Sequence, residues 1–240
     1  MNDNTELLAD FHNIHVGERV FILGNGPSLL AHDLRPLADE YTFGCNSIGE
    51  WAEMPFEPTY YGLSDIQEWK WLDHNNFQQW KDVARFNVQF EGWATHDAYY
   101  NVVKAHDSHQ ASVEGFCGFD DTLPAIPTAR STPMTLAQLA IWMGFREFYF
   151  LGYENTRGYV YEPDRTVSMR GHQLFNIDKN VKYSLAIQRN ARRLREDLEA
   201  QGGCVYDCTP EGFLNGLGPP RRGIGTPQIW EFRELSEVLS

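Results

Sequence analysis

Arg19-Val20-Phe21-Ile22-Leu23-Gly24-Asn25-Gly26-Pro27-Ser28-Leu29 is the stretch whose reading decides the fold. Val20 to Leu23 is a short apolar run, broken by two glycines flanking an asparagine, and a proline and a serine then precede an amphipathic segment. That order reads as strand, tight turn and helix start. Such a turn suits an anionic ligand. Gly24 and Gly26 put no Cβ in the way of a close-approaching group, and the N–H groups at a helix start carry partial positive charge. Pro27 fits the first helical turn, where its missing donor costs nothing. The plain alternative is a strand-to-helix turn with Ser28 as cap, and the neighbouring segments weigh against it.

Downstream of the turn the same pattern recurs. Leu29, Leu30, Leu34 and Leu37 carry helical spacing up to about Glu40, interrupted by Pro36. Tyr41 to Cys45 then reads as a second strand ending in Gly44-Cys45-Asn46-Ser47, and Pro58 to Asp65 as a third ending in Ser64 and Asp65. An open α/β sheet holds its ligand outside the carboxyl ends of its strands, where these small polar residues fall. Trp69, Trp71, Leu72, Phe77 and Trp80 form a helical, packing stretch. Residues 86–128 read as one further strand and an irregular insertion. Ser131-Thr132-Pro133-Met134-Thr135 is a capping sequence leading into a buried helix, with Leu136, Leu139, Ala140 and Met143 on one stripe. Gly144 ends that helix, and Glu147 to Gly152 is the apolar strand of a βαβ step. Residues 153–177 lack periodicity and are long for an inert connection, which makes them a candidate lid. Val181 to Ala200 is an amphipathic helix, and Cys204 to Asp207 reads as the last strand. The alternation of strands and helices predicts a Rossmann-like, doubly wound, mostly parallel sheet with helices on both faces.

The 240 residues suit one domain at 17–240, preceded by an N-terminal arm at 1–16 anchored by Leu7, Leu8 and Phe11. A formal charge of -13 argues against nucleic acid and anionic membranes as partners. No run approaches the roughly 18 apolar residues of a membrane span, and Met1 to Asp10 lacks the features of a leader peptide, so a cytoplasmic protein is expected. The spacing of Cys45, Cys117, Cys204 and Cys208 points to reduced, structural thiols rather than a metal site.

Polar groups from four strand or helix ends converge in this reading: Asn25 with Ser28, Asn46 with Ser47, Ser64 with Asp65, and Ser131 with Thr132. Uncharged amides and hydroxyls suit a nucleotide better than a proton-transfer centre. The sequence has no Gly-x-x-x-x-Gly-Lys-Ser/Thr P-loop, no complete Gly-x-Gly-x-x-Gly and no Gly-x-Ser-x-Gly elbow.

Phe21 to Leu29, Phe43-Gly44-Cys45-Asn46, Ser131-Thr132 and Gly144 to Gly152 together resemble the bacterial sialyltransferases of glycosyltransferase family 42. They also resemble a related superfamily of motility accessory factors and MptE-type hydroxymethylpterin pyrophosphokinases. The likeness runs from about Gly17 to about Leu214, with the middle insertion unmatched. The sialyltransferase branch implies a nucleotide-activated, CMP-linked sialic or other nonulosonic acid donor and a glycan or protein acceptor, with no cofactor required. By that resemblance Asn25, Asn46 and Thr132 hold the donor nucleotide and Gly152 ends the strand beside it, and with the reading of the glycine turn and strand ends Gly24, Gly26, Ser28, Ser64, Asp65, Ser131 and Glu154 complete the expected nucleotide site. Glu154 stands where that branch has an aspartate. Tyr159 and Tyr161 would stabilise the leaving phosphate and His172 would be the general base, with His106 and His109 as weaker alternatives and Arg157, Arg165 and Arg170 as phosphate or carboxylate clamps. These roles are chemically sound, since an imidazole titrates near neutrality and phenols can hydrogen-bond a developing phosphate charge. The pyrophosphokinase branch implies instead Mg²⁺ and ATP, with Asp65 and Glu154 beside the triphosphate. A non-catalytic nucleotide-binding protein would keep the glycine turn and need no base.

Overall fold

The computed structural model describes residues 8–64, 80, 83–90, 100–104, 125–126, 131–154, 160, 177–218 and 225–240. Among these, nine strands form a single sheet: β1 Arg19–Leu23, β2 Thr42–Cys45, β3 Tyr60–Leu63, β4 Ala84–Phe90, β5 Tyr100–Lys104, β6 Ala125–Ile126, β7 Glu147–Leu151, β8 Cys204–Asp207 and β9 Glu231–Phe232. Every pairing is parallel, in the order β6-β5-β4-β3-β2-β1-β7-β8-β9. The chain therefore walks outward from β1 to β6, returns to the other side of β1 with β7, and walks outward again. β1 and β7 flank the topological switch point of a doubly wound, Rossmann-like sheet.

The strands at the switch point are buried on both faces, which explains their unbroken apolar runs. Val20, Ile22, Phe148 and Phe150 pack into one core with Leu136 and Ala140 of α1 (Thr132–Trp142) and Leu194 and Leu198 of α2 (Ile177–Ala200). Phe21, Leu23, Tyr149 and Leu151 pack into the other with Leu29, Leu37 and Ile48, and with Leu235 of α3 (Leu235–Val238). The two long helices among the described residues thus share one face. Three 3₁₀ segments, Pro27–Ala31, Arg35–Asp39 and Asn46–Glu50, and α3 cover the opposite one. Each fully buried Leu, Ile or Phe contributes about 1.5–3 kcal/mol to holding these layers together.

Several sequence expectations change. The segment from Leu29 to Glu40 is two 3₁₀ turns rather than one helix, because Pro36 lacks a donor and Asp33 accepts the Arg35 N–H in a local turn. Residues 86–128 hold parts of three strands, not one: β4 begins at Ala84, and β5 and β6 are too short to show a period. β8 is not last, since β9 adds two residues beyond it. α2 begins four residues before Val181, and Leu185 points its apolar surface to solvent. Trp80 is buried edge-on to Tyr61, in a packing role; Trp69, Trp71, Leu72 and Phe77 lie outside the described residues.

The described part of the arm is tied down more firmly than its sequence suggests. The N–H groups of Asn13, His15 and Gly17 donate to the carbonyls of Trp142, Met143 and Gly144 at the end of α1. His15 is buried, stacks on Phe145, and bridges the Tyr60 hydroxyl (2.6 Å) and the Glu18 carboxylate (2.7 Å). This arrangement sits at the amino ends of the strands, away from their carboxyl ends.

Candidate functional site

The glycine turn leaves β1 at the switch point and lies directly against the end of β7. Gly24 N–H donates to Leu151 O (2.8 Å) and Gly26 N–H to Gly152 O (2.9 Å). A Cβ on Gly24 would land on the Gly152 carbonyl, and one on Gly26 on the Glu154 carboxylate. Close approach is what these glycines permit, but the approaching groups belong to the protein itself. Glu154 is buried, and its Oε1 accepts the Ser28 N–H at 2.5 Å. The N–H expected to receive an anionic ligand is thus engaged by a carboxylate of the next strand's loop. The helix expected there is also a five-residue 3₁₀ segment, too short to build the dipole of a long helix. In this structure the Glu154 carboxylate fills the corner beside the first turn.

Beside that corner, three buried polar atoms have no hydrogen-bond partner among the described residues: Asn25 Oδ1, Ser28 Oγ and Asn46 Oδ1. They come from the carboxyl ends of adjacent strands β1 and β2. The backbone on either side is well held. Asn25 O accepts the Val160 N–H at 2.8 Å, and the Tyr61 hydroxyl donates to Asn46 O. Asn46 itself adopts the left-handed region at φ 48, a conformation asparagine tolerates better than most side chains. A buried polar atom left unmatched costs about 1–3 kcal/mol.

The third contribution comes from β3 and α1. Ser131 caps α1, its Oγ accepting the Met134 N–H at 3.4 Å, as the capping sequence predicts. Ser64 Oγ and Thr132 Oγ1 share a hydrogen bond of 2.8 Å, and Ser131 Oγ and the Tyr153 hydroxyl one of 2.5 Å. These hydroxyls are brought together, and they engage one another. Gly152, at φ 64, lets the chain turn from β7 towards Tyr153 and Glu154.

Four residues at this end of the sheet were not singled out from the sequence. Asp207 ends β8 and is fully buried; its Oδ1 accepts the Thr209 N–H at 2.9 Å, while Oδ2 has no hydrogen-bond partner among the described residues. Burial pushes its carboxyl up to about 7, and the nearby Glu154 charge adds to the rise. Thr209 Oγ1 accepts the Tyr153 N–H at 3.2 Å, joining this loop to the corner. His32 is held below its ordinary value by burial, against a hydrogen bond to the Cys208 backbone and the charges of Glu234 and Glu154. The signal for Asp207 was its position, since it ends a strand of the sheet as Asn25 and Asn46 do.

Asp65, Tyr159, Tyr161 and His172 lie outside the described residues, as do Arg157, Arg165, Arg170, His106, His109 and Cys117. Among the described residues no His, Cys, Asp and Glu side chains cluster as metal ligands, and no helix is long and apolar enough to cross a membrane.

No family model and no curated protein matches the chain. Solved structures do. The sialyltransferase CstII from Campylobacter jejuni, in complex with the substrate analogue cytidine-5'-monophosphate, is 16% identical with a TM-score of 0.46, over 89% of this chain and 87% of that one. A point mutant of CST-II in complex with CMP is 15% identical with a TM-score of 0.48, over 88% and 87%. A further mutant, described as an alpha-2,3/8-sialyltransferase, is 14% identical with a TM-score of 0.42, over 88% of each chain.

Proposed function

We propose that this chain is a glycosyltransferase that takes a nucleotide-activated sugar, a CMP-linked acidic sugar of the sialic acid type, and modifies a glycan or protein. The observation that supports it best is a row of buried polar atoms without a hydrogen-bond partner among the described residues, Asn25 Oδ1, Ser28 Oγ and Asn46 Oδ1, at the carboxyl ends of β1 and β2. Neutral oxygens of this kind call for a ligand rich in N–H and O–H donors, such as an amino-substituted base and a ribose. The resemblance carried by Gly24 to Leu29, Asn46 and Ser131-Thr132 points to the same class of ligand.

In this reading the nucleoside lies across Asn25, Ser28, Asn46 and Thr132. An acceptor hydroxyl attacks the anomeric carbon of the donor, the bond from that carbon to the phosphate oxygen breaks, and CMP leaves with the bonding pair. His172 takes the hydroxyl proton, and Tyr159 and Tyr161 hydrogen-bond the phosphate as its charge grows. No metal takes part.

Calorimetric titration with CMP, CDP and ATP, each with and without Mg²⁺, tests the reading. Binding of CMP without metal is the expected result, and Asn25→Ala weakens it about tenfold, the worth of one good hydrogen bond in a dry site. ATP binding that needs Mg²⁺, with no response to CMP, would overturn it.

A further inference from the structure

Tyr153 is the point where the two halves of the site meet. Its neighbours in the chain hold the glycine turn: Gly152 O accepts the Gly26 N–H at 2.9 Å, and Glu154 Oε1 accepts the Ser28 N–H at 2.5 Å. Its side chain goes the other way, to the start of α1, where the hydroxyl and Ser131 Oγ share a hydrogen bond of 2.5 Å. Thr132, the next residue, pairs with Ser64 from the end of β3. One tyrosine thus spans from the β1 side of the site to the β3 side.

Three elements fix this tyrosine. Its N–H donates to Thr209 Oγ1 at 3.2 Å, in the loop that follows β8. Its ring is buried, set against Phe150 of β7 with centroids 5.7 Å apart and nearly parallel to Trp230 at 6.5 Å. Trp230 precedes β9 and is itself locked: its backbone N–H donates to Leu214 O and its indole N–H to Ala191 O of α2, both at 3.0 Å. The core therefore sets the backbone and ring of Tyr153, and the hydroxyl carries that fixed position to Ser131. A buried phenol hydroxyl keeps such a bond because leaving it unmade costs its full desolvation.

The cap of α1 depends on this contact. Ser131 Oγ lies 3.4 Å from the Met134 nitrogen, long for a cap, against 2.5 Å to the tyrosine oxygen. The shorter bond decides where the Ser131 side chain points. We propose that Tyr153 is a positioning residue: through Ser131 it holds the first turn of α1, and with it Thr132, in place against the glycine turn. It acts through these two residues rather than on the ligand itself. Trp230, 77 positions further along the chain, is the buttress behind it.

Tyr153→Phe removes the hydroxyl and keeps the ring on Phe150 and Trp230, so it suits a test on the full-length protein. Without nucleotide, amide hydrogen exchange read by NMR should be about tenfold faster at Met134 and Thr135, in the first turn of α1, as the loss of one hydrogen bond predicts. At Leu139, in the middle of the helix, the rate should not change. A merely destabilised core would speed all three alike. The second readout rests on the function proposed above. In the calorimeter Tyr153→Phe and Ser131→Ala should each weaken CMP binding, and the double variant should bind no worse than Ser131→Ala alone; such a cycle isolates this pair from any other contact of the hydroxyl. Ser131→Thr, which keeps an Oγ, should bind as the wild type does. The proposal is overturned if Met134 keeps its wild-type exchange rate in Tyr153→Phe, if Leu139 speeds up as much, or if the two CMP losses multiply. A wild-type chain that binds no CMP would overturn the proposed function instead, and the exchange comparison would still decide the role of Tyr153.

Discussion

Gly26 has a specific job: it makes room for the Glu154 carboxylate, which a Cβ would strike. Gly26→Ala should therefore destabilise the protein by about 1–3 kcal/mol, the usual cost of forcing extra volume into a packed site. In a Glu154→Ala background that cost should largely vanish, which a double-mutant cycle read by urea unfolding would show. Gly24→Ala should keep its cost in the same background, because its clash is with the Gly152 backbone. Asp207 gives a second prediction. Its folded value, about 7, lies above the ordinary aspartate value of 3.8. Below that ordinary value both folded and unfolded chains hold the proton. As pH rises towards 7 the unfolded chain gives up its proton first, so stability falls across this window and levels off above it, by up to about 4 kcal/mol. Melting temperatures measured from pH 4 to 8 should show that fall, and Asp207→Asn should flatten it. The sequence revealed the identity of Asn25, Asn46 and Thr132 as strand-end and helix-start residues, but not Glu154's contact, which joins positions 126 residues apart.

At the scale of elements, α1 was readable because its signals are local: a serine cap, a proline in the first turn and an apolar stripe. Ser131→Ala should cost about 1 kcal/mol of folding free energy through the lost cap, and it also strips the Tyr153 hydroxyl of its partner. Chemical unfolding measures the loss, and Ser131→Thr should recover most of it. The elements that escaped the sequence have the opposite character. β6 and β9 are two residues each and exist only because a neighbouring strand offers its edge. The 3₁₀ turns after β1 carry leucines at helical spacing, yet Leu29 and Leu37 serve the same core from two short segments with a break between them. Hydrophobic period reports which side chains are buried together; it does not report how many hydrogen-bonded turns lie between them.

For the whole molecule, the parallel order of the strands was implied by the alternation of apolar runs and helices, because parallel neighbours need crossovers. That the two long helices among the described residues lie on one face was not. The arm's anchor was legible: Phe11 packs edge-on against Tyr100, Phe86 and Tyr60, with ring centroids 4.8, 5.2 and 6.3 Å away. Phe11→Ala should cost about 3 kcal/mol, the lower end for a phenylalanine removed from a core, with the loss visible in the midpoint of urea unfolding. The strand order also has a consequence during synthesis. β1 emerges from the ribosome before its partners β2 to β5, which follow in turn, each adding to the growing edge. The other edge of β1 must wait for β7, more than a hundred residues later. At a translation rate of about 5–20 residues per second, Val20 to Leu23 spend several seconds as an unpaired apolar edge. A nascent chain halted before β7 should therefore bind holdase chaperones, and one released past β8 should let them go.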